Sequence, residues 1–227
     1  IDGILYAIHQ GADVINISLG LAFEPEVLNL SEQVQYEMIN TSYKSSELFW
    51  DKVFDIADRN NVTIVISAGN QNILTGLDPI QRNPLGIKVT AITQKQEKAG
   101  FSNYGKYSTI SAPGVAIYSC TPNNNFEYMQ GTSMSAPIVS GAVALLKSLD
   151  KSLTTKQIIS ILQSSGKPIS SRKGKVGNLI QLDKMLANLN FGDNTENNHN
   201  CAAIQDKINK LKKEIEELKS QCQNINN

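Results

Sequence analysis

Apolar residues at Ile1, Ile4, Leu5 and Ile8 recur at helical spacing, and Gly11 ends the pattern. Asp13 then leads into Val14-Ile15-Asn16-Ile17-Ser18-Leu19, a β-branched run closed by Gly20, which predicts a buried strand. Helical spacing returns over Ser46 to Asn60, with Leu48, Phe49, Val53, Phe54, Ile56 and Ala57 on the inner side. Buried strands are predicted over Val62 to Ile66, stopped by Ala68-Gly69-Asn70, and over Ile87 to Ile92. This alternation of strand and helix argues for a parallel sheet with helices on its faces.

From Ser102 the texture changes. Short strands sit between the turn signals Asn103-Tyr104-Gly105, Ala112-Pro113-Gly114 and Pro122-Asn123-Asn124-Asn125. Val115–Thr121 and Phe126–Gln130 are predicted to form a hairpin across the last of these. Gly131 opens a helix running through Ser140 to Leu146 that is small and apolar almost all round, the mark of a central buried helix. Thr154 with Gln157 makes a capping box for a helix over Thr155 to Gln163.

Residues 191–200 (FGDNTENNHN) read as a polar linker. Beyond it, Cys201, Ile204, Ile208, Leu211, Ile215, Leu218, Cys222 and Ile225 alternate in steps of 3 and 4. That is a coiled-coil seam, with Cys201, Ile208, Ile215 and Cys222 at the a positions. The organisation expected is a domain over 1–190, a linker over 191–200 and a heptad helix over 201–227 that associates with itself or with a partner helix. On one straight helix Cys201 and Cys222 stand about 30 Å apart, too far to bridge each other, though a parallel dimer could pair each with its own copy.

Composition changes this picture little. Lys+Arg and Asp+Glu both number 21, so no overall field recruits nucleic acid or an anionic membrane surface. Hydrophobic residues make up 41% and charged residues 19%, ordinary for a globular chain, and no apolar run approaches a membrane span. No Cys/His cluster reads as a metal site, and Cys120 is expected as a packed strand thiol.

The chemistry concentrates in Gly131-Thr132-Ser133-Met134-Ser135-Ala136-Pro137. A Ser at a glycine-led turn into a helix sits where free backbone N–H groups and the positive end of the helix dipole can stabilise negative charge on an attacked carbonyl. Pro137 fits on the expectation that the first helical turn does not need its N–H. Gly131 to Gly141 resembles the nucleophile motif of the subtilisin family, G-T-S-M-[AS]-x-P-x-V-[AS]-G, which makes Ser133 the nucleophile. Two further blocks resemble the family in the family's order. Asp13 to Gly20 is similar to the strand lining the substrate groove, which pairs with an extended peptide. Ser67-Ala68-Gly69-Asn70 is similar to the segment ending in the oxyanion-hole Asn, with the Ser133 N–H as second donor. The resemblance covers roughly residues 1 to 187 and implies substrate contacts from Ser18, Leu19, Gly20, Ser67, Ala68, Gly69 and Thr132. Gly20 and Ala68-Gly69 are implied as pocket walls, with Asp78-Pro79 at a turn nearby. The fold implied is a three-layer α/β/α sandwich with a mostly parallel sheet, incomplete at its N-terminus. The family implies no cofactor. Structural calcium is common in it, but no acidic cluster here is assignable to calcium. The resemblance also implies export or a cell-envelope location.

The chain departs from the pattern in three ways. The family's Asp and His precede the groove strand, and neither D-[ST]-G nor H-G-T-H occurs. The only histidines, His9 and His199, are expected to be structural or solvated. The chain opens on Ile1 in mid-pattern, so the reading favoured is a fragment of an active serine endopeptidase, unstable alone, whose base and orienting carboxylate lie upstream. The alternatives are a pseudoprotease that binds peptides and assembles through the coiled coil, or an assembly in which another chain supplies His and Asp. Second, residues 21–45 replace a short connection and carry Glu24, Glu26, Glu32 and Glu37 against Lys44, which suggests either an acidic lid selecting basic residues upstream of the cut or a neutral surface insertion. Third, Ile138 stands where many members have His, with no catalytic consequence expected.

Overall fold

The computed structural model describes residues 2–171 and 174–187, together with Lys213. The chain divides into two units, Ile1–Asn188 and Leu189–Asn227. The predicted linker and heptad helix fall in the second and, apart from helical Lys213, lie outside the described residues.

Helix α1 (Asp2–His9) leads into β1 (Val14–Ile17), followed by α2 (Pro25–Leu28), α3 (Glu32–Thr41) and α4 (Lys44–Arg59). Then come β2 (Thr63–Ser67), β3 (Gly86–Ile92), β4 (Ile110–Pro113), β5 (Ile117–Thr121) and β6 (Asn125–Met129). Helices α5 (Thr132–Leu149) and α6 (Thr155–Ser165), strand β7 (Asn178–Leu179) and α7 (Leu182–Ala187) complete the unit. Five strands form one sheet in the order β1-β2-β3-β4-β7, every pair parallel. Strands β5 and β6 pair antiparallel as a separate hairpin, as their alternation predicts.

One face of the sheet packs Ile64 and Ile66 against Ile8 of α1 and Phe54 and Ala57 of α4. The other carries α5 across β1 to β4, while Thr63 meets Thr155 of α6 at 3.1 Å. The sheet is therefore sandwiched between helices, the three-layer arrangement expected. Strands β2 and β3 are buried at every residue, because a parallel strand covered on both faces has no solvent side.

Four expectations are corrected. Strand β1 ends at Ile17 and is only half-buried, because among the described residues it has one neighbour and lies at the sheet edge. In α4 the buried stripe is Val53, Phe54 and Ala57, while Leu48 is 65% exposed, since an amphipathic helix turns one stripe inward however many apolar residues flank it. Helix α5 is covered on one side only: Pro137, Gly141, Ala144 and Ser148 run along its exposed face. At 18 residues and mean hydropathy 1.2 it is also long and apolar enough, by length and composition, to cross a bilayer, yet it lies packed across four strands. Cys120 is exposed rather than packed, because β6 is exposed throughout and, among the described residues, no second layer covers the hairpin. On that hairpin Tyr118 stacks with Phe126 at 5.7 Å and meets Tyr128 at 4.9 Å.

The insertion at 21–45 is built into the domain. Ile39 joins a cluster with Ile73, Leu74, Leu77 and Tyr104, and buried Gln35 accepts from the Leu74 N–H at 2.9 Å. Glu32 accepts from the Tyr104 hydroxyl at 2.8 Å, whereas Glu24, Glu26 and Glu37 are exposed. Buried Arg82 closes the arrangement. It donates to Gly76 O, to Ser42 O and to the Glu47 carboxylate, so one side chain ties the insertion, α4 and the loop after Asn70 together.

Candidate active site

Two strand ends and one helix start meet at Ser133. Gly131 caps α5 with φ +147° and ψ 162°, a conformation strained for any residue with a Cβ. Its N–H donates to Gly114 O at 2.8 Å, which fixes the turn to the end of β4. Gly114 has no room for a side chain: a Cβ there would stand 2.3 Å from Ser135 Oγ. That hydroxyl in turn donates to Ala112 O and Pro113 O. The structural reading of Ala112-Pro113-Gly114 thus has a cause.

Asn70 stands beyond the end of β2, where Gly69 turns the chain at φ +98°. Its Oδ1 accepts from Thr132 N at 2.8 Å and from Thr132 Oγ at 2.9 Å. Because a backbone N–H can only donate, the amide is held with Oδ1 toward Thr132 and Nδ2 turned away. A Cβ built on Gly131 would lie 3.3 Å from Asn70 Nδ2 and 3.7 Å from Ser133 N. Asn70 Nδ2 and Ser133 N thus lie on the same side of Gly131, with Met134 Sδ at 3.6 Å from the same point.

Ser133 and Ser18 bond reciprocally. Ser133 Oγ donates to Ser18 O at 3.4 Å, and Ser18 Oγ donates to Ser133 O at 3.2 Å. The second bond depends on Pro137, and here the reason expected for that proline is corrected. Pro137 lies inside α5, past the first turn, where an ordinary residue would donate its N–H to Ser133 O. The missing donor leaves that carbonyl open, and Ser18 fills it. Ser18 is itself held: Asn16 Nδ2 donates to Ser18 Oγ at 2.9 Å, and Ser140 Oγ donates to Asn16 Oδ1 at 3.0 Å.

The other expected contact residues divide. Ser18, Leu19 and Gly20 line a cleft of about 850 Å³ at the sheet edge, Leu19 being 78% exposed. Gly69 is half-buried. Ser67, Ala68 and Thr132 are buried, so their place is behind the surface rather than on it. The Ser67 and Ala68 carbonyls accept from Gln81 Nε2, and the Thr132 hydroxyl accepts from Gly69 N at 3.1 Å. His9 is exposed at the end of α1, and His199 lies outside the described residues. Among the described residues no imidazole bonds Ser133, and no cluster of three or more His, Cys, Asp or Glu could hold a metal ion.

The sequence did not single out Asn103 or Gln81. Asn103 Oδ1 accepts from Gln71 N and Ile73 N, which shapes the loop after Asn70. Its side chain also fills the space that a Cβ on Gly69 would need, at 2.4 Å. Gln81 accepts from Gly76 N while holding the end of β2. Both are buried polar residues, Asn103 in a loop and Gln81 at the end of the short 3-10 turn Pro79–Gln81, stretches too short for periodicity to carry a signal. Asp78 accepts from Leu21 N at 2.8 Å and from Ile80 N at 3.2 Å, and burial raises its carboxyl above the usual range.

Comparison with known proteins gives this geometry a context. The chain is 36% identical over 147 residues to the thermophilic serine proteinase of Bacillus sp. (strain AK1), which covers 65% of this chain and 31% of that protein. It is 31% identical over 190 residues to the major intracellular serine protease of Bacillus subtilis (strain 168), covering 78% and 52% respectively. The chain thus spans about a third to a half of the length of these curated relatives. The fold matches the solved structure of the prenylagaramide maturation protease with a TM-score of 0.65 at 23% identity, over 82% of this chain and 65% of that one. The model of the subtilase family matches residues 1–199, and by that match this chain belongs to the subtilase family.

Proposed function

We propose that this chain carries the nucleophile and the oxyanion donors of a serine endopeptidase. Ser133 Oγ attacks the peptide carbonyl carbon and forms the new C–O bond. Its proton passes to an imidazole supplied from outside the described residues, which an orienting carboxylate holds in place. The carbonyl oxygen, now carrying the charge, accepts from Asn70 Nδ2 and the Ser133 N–H. Collapse of this intermediate breaks the C–N bond, and the departing amine takes the proton from the imidazole. Water then cleaves the ester on Ser133 by the same steps. The observation that carries this reading is the placement of Asn70 Nδ2 and Ser133 N on the same side of Gly131, next to Ser133.

A fluorophosphonate probe tests it in the protein expressed from its complete reading frame. Labelling is expected at Ser133, none in Ser133→Ala, and a slowing of about 10²–10³-fold in Asn70→Ala, the size typical for loss of one oxyanion donor. An unlabelled Ser133 in that protein would leave only a peptide-binding role.

A further inference from the structure

The cleft beside Ser18 is largely apolar. Side chains such as Ile17, Trp50 and Ile80 share its walls with the uncharged Asn16, Ser18 and Ser46, and among the described residues Asp78 is the only ionisable one there. The Asp78 side chain belongs to a residue only 6% exposed, and among the described residues no cation pairs with it. Arg82 lowers the Asp78 carboxyl from beyond ion-pair distance, while its own guanidinium bonds Glu47 at 2.9 Å and the Gly76 and Ser42 carbonyls. Each Asp78 oxygen accepts one backbone N–H, from Leu21 or Ile80, and keeps a further lone pair. Gly20 lies against Oδ2 and leaves space beside it: a Cβ there would stand 3.2 Å from that oxygen. Burial dominates the state of this carboxyl and raises it, so the anion is under-compensated where it stands.

A buried carboxylate lacking a paired cation is costly, and a cation entering the cleft relieves that cost. The backbone that holds Asp78, at Gly20 and Leu21, continues from Ser18, whose carbonyl receives the Ser133 hydroxyl. A peptide lying along Ser18 to Leu21 with its carbonyl at Ser133 therefore brings a neighbouring side chain into reach of Asp78. We propose that Asp78 is a specificity-determining residue that selects a cationic side chain, arginine or lysine, in the bound peptide. This deepens the reading of the chain as a peptide-cleaving unit and rests on it.

Binding without turnover is read by calorimetry on the Ser133→Ala variant of the protein expressed from its complete reading frame. It is titrated with acetyl-Arg-Ala-Ala-Arg-amide and with its neutral isostere, in which citrulline replaces both arginines. The arginine peptide is expected to bind at least tenfold more tightly than the citrulline peptide, and Asp78→Asn to abolish the difference. Equal affinities, or no binding of either peptide, overturn the proposal. If Asp78→Asn does not fold, by its circular dichroism, the comparison of the two peptides on the Ser133→Ala protein decides alone. Charge selection with an unlabelled Ser133 sinks the catalytic reading and leaves the cation site standing. A labelled Ser133 without charge selection sinks the cation site alone.

Discussion

Replacing Thr132 by Val keeps the outline of a fully buried side chain and removes one hydroxyl. That hydroxyl has two partners: it accepts from Gly69 N at 3.1 Å and donates to Asn70 Oδ1 at 2.9 Å. After the change Gly69 N–H has no acceptor, and an unsatisfied donor costs about 1–3 kcal/mol. Asn70 keeps the Thr132 backbone N–H as its anchor, so its amide loses half its restraint rather than all of it. One net hydrogen bond of about 0.5–1.5 kcal/mol then separates the productive orientation from the others, which corresponds to a roughly two- to twelvefold slower reaction at Ser133. Urea unfolding followed by Trp50 fluorescence reads the first effect as a lower midpoint at unchanged slope. Fluorophosphonate labelling of the protein from its complete reading frame reads the second. In an Asn70→Ala background the second effect should vanish, because the hydroxyl acts on the reaction only through Asn70. Slowing of the same size in that background would refute the reasoning, as would wild-type stability in Thr132→Val.

Gly131→Ala places a methyl group 3.3 Å from Asn70 Nδ2 and forces a Cβ into φ +147°, so it should abolish labelling and destabilise the domain by about 1–3 kcal/mol, measured by the same two assays. Lys88 on β3 is 4% exposed and donates to Asn83 O and Gly86 O, and burial pushes its ammonium down to about 8. The unfolded chain then binds more protons than the folded one between about pH 8 and the usual lysine value near 10.5. Stability contributed by this group therefore rises with pH across that window, by at most roughly 1.4 kcal/mol per unit. The urea midpoint of wild type should therefore rise relative to that of Lys88→Met between about pH 7.5 and 9.5, and a difference that stays constant would show that burial of the charge is not the cause.

What the sequence disclosed was what repeats or what chemistry makes rare. The fully buried strands β2 and β3, the capping box at Thr154 and the β5–β6 hairpin stand where periodicity and turn residues put them. Ser133 and Asn70 stood out in the sequence through their resemblance to the family's motifs, and the structure places each just after a glycine at positive φ. The burial of individual faces was less legible. Whether Leu48 or Cys120 meets a second layer depends on elements far along the chain, and local pattern is silent on that. The supporting polar residues were hidden for the same reason. Asn103 acts on Gln71 and Gln81 acts on Ser67, partners that the fold alone supplies. Arg82 reads in the sequence as one more surface charge, yet it reaches three separate segments.

The proline one turn beyond Ser133 has a mechanical consequence. A residue in an unbroken helix would move as part of that helix. Here its carbonyl is surrendered by its own helix and tethered to the edge strand through Ser18, while its hydroxyl leans on the same residue. Tension applied to residues 18–20 by a strand laid beside them reaches Ser133 directly, over one residue, with the body of α5 left at rest against the sheet. Engagement of the edge and alignment of the hydroxyl are then a single displacement, and stiffening residue 18 sets how far the two can drift apart.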